Sequence, residues 1–320
     1  RWLDSEPLAC GARQILPDID QLAPLLPQIG LDRIAATTAT HYHCDHADAL
    51  DEVRRQYRAA VWLHPWVAEP LADRDRYDLP WLTPESIAPD RLLPAEGVFR
   101  FGEYRFRIRP FPGQTWWHCA FDTEIAGRRV LFSGDNFQPP FRWNGSGGFC
   151  AFNGCRFEQG FARSAQAALD IDPDIVCNGH RIAYRFSAAH YRRILRWSER
   201  AEKAVRALCP ESDIDYDCRA LRFEPFVNRA RPGARLQLKL VSRNRSATTR
   251  ALEAAIAAPE DWRSDMPRRR ATIPAHSERA LALALRIPRN AAPGRHLVAA
   301  DCTLDGQFLA EACVALIDIT

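Results

Sequence analysis

Three histidines and one aspartate lie together in the segment His41–His46, directly after an apolar stretch typical of a β-strand. Side chains of an extended segment alternate between faces, so His41 and His43 are expected to point the same way. Asp45 and His46 would then come from the turn that follows. Imidazole nitrogens and carboxylate oxygens suit zinc, and also iron or manganese. The segment therefore predicts a metal site, with zinc as the expected ion.

Three segments further along the chain each end in a residue that can bind a metal ion. They are Pro112–His118, Leu131–Asp135 and Val176–His180. Counted from His46, these ends follow at intervals of 72, 17 and 45 residues. All three ends carry a His or Asp side chain, so each can supply a further metal ligand.

Together these segments resemble the metallo-β-lactamase-fold hydrolase superfamily, whose members carry His-x-His-x-Asp-His followed by a His, an Asp and a His. The resemblance covers about residues 30 to 200 and implies an α+β fold with four layers, αββα. It also implies two metal ions. One would be held by His41, His43 and His118, the second by Asp45, His46 and His180, and Asp135 would bridge the two.

The implied chemistry is hydrolysis. Two cations about 3.5–4 Å apart acidify a shared water and polarise a carbonyl or phosphoryl oxygen. Asp45 would be both ligand and catalytic residue, since it can orient the hydroxide and pass its proton to the leaving group. In the resembled family, a bridging carboxylate at Asp135 marks thioesterases, lactonases and phosphodiesterases, whereas true β-lactamases lack it. His43, where di-iron relatives carry glutamate, argues against oxygen reduction.

An ester-like bond is thus the expected target: a thioester, a lactone or a related carboxylic ester. Two alternatives stay open. One is a phosphodiesterase or nuclease of the same fold, although 45 residues between Asp135 and His180 leave no room for the large insertion of the RNA-cleaving branch. The other is a non-catalytic metal-binding module whose C-terminal part binds a partner.

Four residues are predicted to contact a small-molecule substrate: Trp117, Arg142, Trp143 and Arg181. Trp117 stands where the family usually has a glycine, and Gln114 where it usually has a histidine. Trp143 and Arg142 lie in a Pro- and Gly-rich aromatic loop after Asp135, and such loops often border binding sites. Arg181 could bind an anion with both guanidinium nitrogens. Each residue also has a structural alternative. Trp117 could be an ordinary core aromatic, the loop with Arg142 and Trp143 a plain surface loop, and Arg181 part of a structural ion pair.

The charge balance argues against a nucleic-acid partner. The 320 residues carry a formal net charge of +3, and only Lys203 and Lys239 are lysines among 43 basic residues. A basic run at Arg268–Arg270 has no interleaved aromatics and is typical of a solvated loop. No apolar run reaches the roughly 18 residues that a membrane span requires. The predicted partner is therefore a small molecule, without a membrane span.

The cysteines give an indirect indication of the cellular compartment. Ten cysteines are scattered without Cys-x-x-Cys pairs, which favours free thiols in a reducing cytoplasm. An extracytoplasmic location stays open, because Cys150 and Cys155, or Cys209 and Cys218, are close enough in sequence to bridge. The chain begins with Arg1, so we expect a processed or truncated start, and amino-terminal strands of the fold are expected to be missing.

The chain changes character after about residue 215. Residues 1–215 are predicted to form the hydrolase domain, and residues 221–320 a small β-sandwich of short alternating strands. Asp305–Gly306 is a strong signal for a two-residue hairpin between the last two strands. The sandwich resembles the immunoglobulin-like accessory domains of bacterial enzymes, which implies contact with a protein partner or with a second copy.

Overall fold

The computed structural model describes residues 22–28, 30–145, 147–180, 183–208, 217–265 and 268–320. Their contacts cluster into two units. The first unit is Arg1–Arg74 with Leu79–Pro210, and the second is Asp75–Asp78 with Glu211–Thr320. The predicted domain limits of 1–215 and 221–320 stay a prediction.

Six helices are described in the first unit: α1 (Leu22–Gln28), α2 (Cys44–Ala47), α3 (Ala49–Tyr57), α4 (Pro65–Ala72), α5 (Phe161–Ile171) and α6 (Ala188–Leu208). Short 3-10 turns lie at Pro140–Arg142 and Ala151–Asn153. The sequence predicts a Pro-interrupted helix over about residues 18–29; α1 lies within that range, and residues 18–21 and 29 lie outside the described residues. α4 begins where proline fits the first helical turn, and the His64 side chain caps it by accepting a hydrogen bond from the Trp66 N–H at 3.1 Å.

Two sheets belong to the first unit. A parallel three-stranded sheet has the order β1 (Ala36–Thr37), β2 (Ala60–Leu63) and β3 (Arg91–Leu92). The six-stranded sheet has the order β4 (Gly97–Phe101), β5 (Tyr104–Pro110), β6 (Cys119–Ile125), β7 (Arg128–Gly134), β8 (Ile175–Asn178) and β9 (Tyr184–Arg185). The alternating segments on either side of Gly102–Glu103 and of Ala126–Gly127 predict two hairpins, which are confirmed as β4–β5 and β6–β7. β7 and β8 run parallel.

Helices α5 and α6 bury their apolar faces against the six-stranded sheet. The shared core contains Phe111, Ala120, Leu131, Phe137, Phe161, Ala165, Ala168, Ile171, Val176, Tyr184, Tyr191 and Ile194. In α5 the buried residues recur at Phe161, Ala165 and Ala168, which is the three-to-four residue spacing of one helical face. This packing fixes the β7 and β8 strand ends, where two of the predicted ligands lie.

The second unit is a sandwich of two sheets. One has the order β10 (Leu221–Phe223), β12 (Arg235–Arg243), β16 (Glu278–Arg286) and β14 (Arg263–Ser264). The other has the order β11 (Val227–Ala230), β18 (Gln307–Ile319), β17 (Gly294–Leu304), β13 (Arg250–Ala257) and β15 (Arg269–Ile273). The predicted hairpin at Asp305–Gly306 is confirmed, and both residues have positive φ, 49° and 83°. A separate core, with Leu240, Leu283 and Ile317, lies within this unit.

The described cysteines include seven free thiols: Cys119, Cys150, Cys155, Cys177, Cys218, Cys302 and Cys313. Cys150 and Cys155 are therefore not bridged to each other, as their spacing would have allowed. Among the described helices, none combines the length and apolar character needed to cross a membrane.

Candidate metal centre

The segment His41–His46, called the first motif below, is extended at its start and passes directly into a helix. His41 makes an antiparallel β-bridge with His118, and His43 makes one with Leu82. Both imidazoles are buried, with 0% and 3% exposure. α2 begins at Cys44, so Asp45 and His46 lie in its first turn. One short piece of backbone thus presents four candidate ligands.

His118 reaches the same place from the loop between β5 and β6. The loop closes through the Phe111 N–H, which donates to the His118 carbonyl at 2.8 Å. The Cys119 N–H donates to the Thr40 carbonyl, also at 2.8 Å. These bonds align this loop, called the His118 loop below, with the first motif, and the rings of His41 and His118 stack with centroids 4.8 Å apart.

Asp135 and His180 are neighbours because β7 and β8 are parallel and end side by side. The Gly179 N–H donates to the Gly134 carbonyl at 2.9 Å, one residue before each candidate ligand. The His180 N–H donates to Asn178 Oδ1 at 2.9 Å, which orients the turn after β8. Side chains that follow adjacent parallel strands at their carboxyl ends meet at one edge of the sheet.

Two glycines make this close approach sterically feasible. A Cβ at Gly134, which has φ of 52°, would lie 2.5 Å from His118 Nε2. A Cβ at Gly179 would lie 2.5 Å from Asp135 Oδ1 and 2.5 Å from His46 Cε1. Glycine is therefore required at both positions by the candidate ligands themselves.

The Asp135 carboxylate lies at the centre of the cluster. Its Oδ2 is 2.9 Å from His180 Nε2 and 3.9 Å from His41 Nε2. Its Oδ1 is 3.1 Å from His46 Nε2. His180 Nε2 is also 3.1 Å from Asp45 Oδ2. Ligand atoms of Asp45, His46, Asp135 and His180 all lie within 4.8 Å of one another, an arrangement that could hold a metal ion.

Buried histidine nitrogens without hydrogen-bond partners test whether a cation fits here. Both ring nitrogens of His118 are buried and unpartnered, as is His41 Nε2. Buried polar atoms are almost always satisfied, and an unsatisfied one is costly. Neutral imidazole nitrogens facing a carboxylate are instead what a divalent cation requires. The residues present therefore fit a metal ion.

The three buried imidazoles are held in the neutral form. Burial lowers the pKa of His43 to about 4 and that of His118 to about 3, against the partial opposition of the Asp135 charge. Burial also places the pKa of His41 well below its usual range, and the neighbouring His46 acts in the same direction. Only neutral imidazole can bind a metal, so the protein prepares these ligands at neutral pH.

The more open side of the cluster has the opposite electrostatics. Hydrogen bonds to Asp135 and Asp45 raise the pKa of His180 to about 10. Burial alone would raise the pKa of both carboxyls, but the bonds from His180 and the charge of His46 outweigh it. The pKa of Asp45 is lowered, and that of Asp135 lies well below its usual range. Both carboxylates are therefore ionised, as ligands must be. An ion bound between them would displace the His180 proton, because only neutral imidazole binds a metal.

Polar neighbours orient the candidate ligands. The Thr40 hydroxyl is 3.1 Å from His41 Nδ1, which leaves Nε2 directed at Asp135. Asn153 Nδ2 is 3.4 Å from His43 Nε2, and Asn153 Oδ1 accepts a hydrogen bond from the Tyr42 hydroxyl at 3.1 Å. Such outer contacts fix ring orientation and tautomer at metal sites.

Comparison with known proteins decides the family. The model of the metallo-beta-lactamase superfamily matches residues 12–180, more than half of the chain, and these include every residue of the cluster. The chain belongs to the metallo-beta-lactamase superfamily. The predicted α+β fold, with the four-layer superfamily architecture and an added β-sandwich, is confirmed. No match was found among curated proteins.

Several solved structures of the superfamily are similar to this chain. A metallo-beta-lactamase with a HARLDQ motif from Cronobacter sakazakii is 17% identical, with a TM-score of 0.45, and the match covers 62% of this chain and 82% of that one. MIM-1 from Novosphingobium pentaromativorans is 12% identical, with a TM-score of 0.45 and coverages of 62% and 78%. A beta-lactamase from Chitinophaga pinensis is 20% identical, with a TM-score of 0.41 and coverages of 57% and 77%.

The predicted substrate residues lie in different surroundings. Trp117 is 5% exposed and its ring meets Tyr42 with centroids 6.0 Å apart. Trp143 packs beside the core of α5 and α6, with the Arg193 guanidinium 4.2 Å from its ring centroid. Arg142 is exposed at the end of a 3-10 turn, and Arg181 lies outside the described residues. The substrate role of all four stays a prediction.

Sequence reasoning missed two residues that contact the superfamily motif. Trp81 is 38 residues beyond His43, yet its ring lies beside that imidazole, with centroids 5.2 Å apart. Asn153 is 110 residues beyond His43 and bonds to it. Neither has a spacing signal, because long loops carry both back to the motif. The departure at Gln114 was visible in the sequence, but its bond to Asp135 at 3.0 Å was not.

Proposed function

We propose that this chain is a dinuclear metal-dependent hydrolase that cleaves an ester-like bond in a thioester, a lactone or a related carboxylic ester. The observation that carries the proposal is the position of Asp135. Its carboxylate lies 3.9 Å from His41, a predicted ligand of the first ion, and 2.9 Å from His180, a predicted ligand of the second. A carboxylate within reach of both ligand groups supports a bridging role.

Two divalent ions, with zinc as the expected metal, would supply a Lewis acid for the substrate oxygen and acidify a shared water. We assign the first ion to His41, His43 and His118. The second is assigned to Asp45, His46 and His180. The unpartnered nitrogens of His41 and His118 support the first assignment, and the clustering of ligand atoms supports the second.

Asp45 and Asp135 differ in exposure, which supports different roles. The Asp135 side chain is 4% exposed, as suits a purely structural bridge between ions. The Asp45 side chain is 43% exposed and only 3.1 Å from His180. Asp45 can therefore orient the attacking water, take up its proton and release that proton to the departing thiol or alcohol.

The test combines metal analysis of the purified protein with a substrate panel of thioesters, lactones, phosphodiesters and β-lactams. We expect bound zinc, iron or manganese and turnover of an ester-type substrate. Asp45→Asn should lower kcat by about 100-fold or more, the size of a lost general acid–base step. Asp51→Asn on α3, which removes a half-buried ion pair with Arg54 outside the cluster, is the matched control and should leave turnover unchanged.

Other outcomes would redirect the proposal. Cleavage of phosphodiesters alone would establish the nuclease alternative. Bound metal without turnover of any class, and a protein partner still captured by Asp45→Asn, would favour the non-catalytic module. If the protein took up none of these metals when they were supplied in excess, the proposal would be contradicted altogether.

A further inference from the structure

An exposed pair of aromatic rings borders the candidate metal centre. Trp81 is 49% exposed and Phe152 is 61% exposed. Their ring centroids are 6.4 Å apart, with an interplanar angle of 68°. The Trp81 ring also meets His43, with centroids 5.2 Å apart. These three rings form a continuous aromatic surface, and that surface begins at a candidate metal ligand.

The backbone holds Trp81 in a conformation that bulky residues rarely adopt. Its φ is 55°. The Trp81 carbonyl accepts a hydrogen bond from the Cys44 N–H at 2.7 Å, and the next residue, Leu82, makes a β-bridge with His43. Strain of this kind persists only where the surrounding structure imposes it, and it is concentrated at functional sites. The ring is therefore placed beside the centre by the first motif itself.

Phe152 is anchored by the residue that follows it. The Asn153 carbonyl accepts a hydrogen bond from the Thr115 hydroxyl at 3.0 Å and one from the Trp116 N–H at 3.1 Å. The Asn153 side chain bonds to Tyr42. The turn Ala151–Asn153 is thus tied to both the first motif and the His118 loop, so Phe152 keeps its place relative to the candidate ligands.

The charges around these rings select an uncharged occupant. Elsewhere arginines lie over exposed or half-buried tryptophans, as Arg91 does over Trp62 at 4.3 Å. Among the described residues, none places a cationic group over the Trp81 ring. The Trp81 ring therefore offers an occupant apolar contact area and no ion-pair partner, which favours an uncharged group.

We propose that Trp81 and Phe152 are specificity-determining residues that bind an uncharged, apolar acyl group of the substrate. The inference rests on the proposed ester-type hydrolysis, in which the acyl carbonyl must reach the metal centre. Water forms the new C–O bond, the acyl–sulfur or acyl–oxygen bond breaks, and the proton leaves with the thiol or alcohol. The acyl chain remains on the carboxylate product, so substrate and product share this contact.

The kinetic test uses the metal-loaded protein and thioesters of one thiol with acyl chains from acetyl to octanoyl. We expect kcat/KM to rise with chain length, by up to about fourfold for each methylene that the rings cover. Trp81→Gly, which suits the positive φ, and Phe152→Ala should each flatten this rise, so the readout is the slope of kcat/KM against chain length and not the rate on any one ester. Trp197→Ala, at a 36% exposed tryptophan on α6, is the matched control.

The second measurement is independent of turnover. Calorimetric titration of the metal-loaded protein with octanoate and with acetate should show tighter binding of octanoate, with a negative heat-capacity change from apolar burial. The advantage of octanoate should fall in Trp81→Gly and in Phe152→Ala, and persist in Trp197→Ala.

The two proposals fail in distinguishable ways. Turnover that is insensitive to chain length, or a length preference that survives both substitutions, would overturn the acyl-binding role and leave the hydrolase standing. Octanoate binding that depends on Trp81, in a protein that cleaves no ester of the panel, would support the apolar surface and contradict the proposed function.

Discussion

The side chains of the candidate centre lower the folding stability of the metal-free protein, because several of their buried polar atoms have no hydrogen-bond partner. His118 has two buried ring nitrogens without partners, and His41 has one. Leaving a buried polar atom unsatisfied costs about 1–3 kcal/mol. At the same place, Asp135 is ionised and 4% exposed. A cation would satisfy the nitrogens and the carboxylate together, so metal binding and folding stability are expected to be coupled at this site.

Gln114 is expected to strengthen metal binding through Asp135. Its Nε2 donates to Asp135 Oδ2 at 3.0 Å, which fixes the carboxylate in one rotamer. Gln114→Met removes the donor at similar volume, and we expect the affinity for metal to fall about 10- to 100-fold. Gln114→Glu places a second negative charge beside Asp135 and should perturb the site further. Competition with a chelator measures the affinity, and the absorption spectrum of the cobalt-loaded protein reports ligand geometry.

An exposed pair of the same chemistry supplies the control. Gln166 Nε2 donates to Asp170 at 2.8 Å on the surface of α5. Gln166→Met should leave metal affinity and the cobalt spectrum unchanged. If Gln114→Met behaved in the same way, Gln114 would be a bystander and its bond to Asp135 would have no bearing on the ions.

At the scale of elements, the candidate ligands occupy strand ends and the turns that follow. Asp135 and His180 follow β7 and β8, and His118 returns from the loop after β5. The sequence predicted these strands well, because alternating hairpins and short apolar runs are local signals. It also singled out the segments whose side chains meet in the cluster, and their role as metal ligands stays a prediction. It could not predict Trp81 or Phe152, since loop backbones are set by long-range hydrogen bonds such as that from Cys44 to the Trp81 carbonyl.

His64, which caps α4, is expected to make the free energy of unfolding depend on pH. Its Nδ1 accepts from the Trp66 N–H and its Nε2 is 2.7 Å from the Ala95 carbonyl, so the ring is neutral in the folded state. Burial lowers its pKa, although the bond to Ala95 opposes this. The unfolded chain takes up a proton as pH falls through about 6.5, while the folded chain does not. The free energy of unfolding should therefore decrease as the pH is lowered from about 7.5 to about 5.5.

His64→Asn isolates this contribution. Asparagine retains a capping acceptor for the Trp66 N–H but does not titrate in this range. The free energy of unfolding of the variant should decrease less on acidification than that of the wild type. The other histidines titrate in both proteins, so subtracting the two pH curves removes their contribution. Urea unfolding followed by tryptophan fluorescence measures it, because Trp262 is the only tryptophan of the second unit. Parallel pH curves for the two proteins would show that His64 is not neutral in the fold.

At the scale of the molecule, the two units have separate cores. The core of the first is built on the six-stranded sheet with α5 and α6, and that of the second lies in the sandwich. The candidate ligands all belong to the first unit. A metal ion that binds only the folded state stabilises the unit that holds its ligands, by about 2.7 kcal/mol when the free metal concentration is 100 times the dissociation constant. That stabilisation is expected in the first unit alone.

Removal of the metal should therefore loosen the first unit selectively. Amide hydrogen exchange, compared between metal-loaded and chelated protein, should show lost protection around the first motif and the His118 loop. Strands β12 and β16 should be unchanged. The reciprocal variant, Leu240→Ala in the sandwich core, removes a fully buried side chain and should cost about 2–5 kcal/mol in the second unit. Its metal content should equal that of the wild type. If the chelator reduced amide protection in β12 and β16 as much as in the first motif, the two cores would unfold in one shared transition. Only such a transition would lower the stability of the sandwich when the ions are removed.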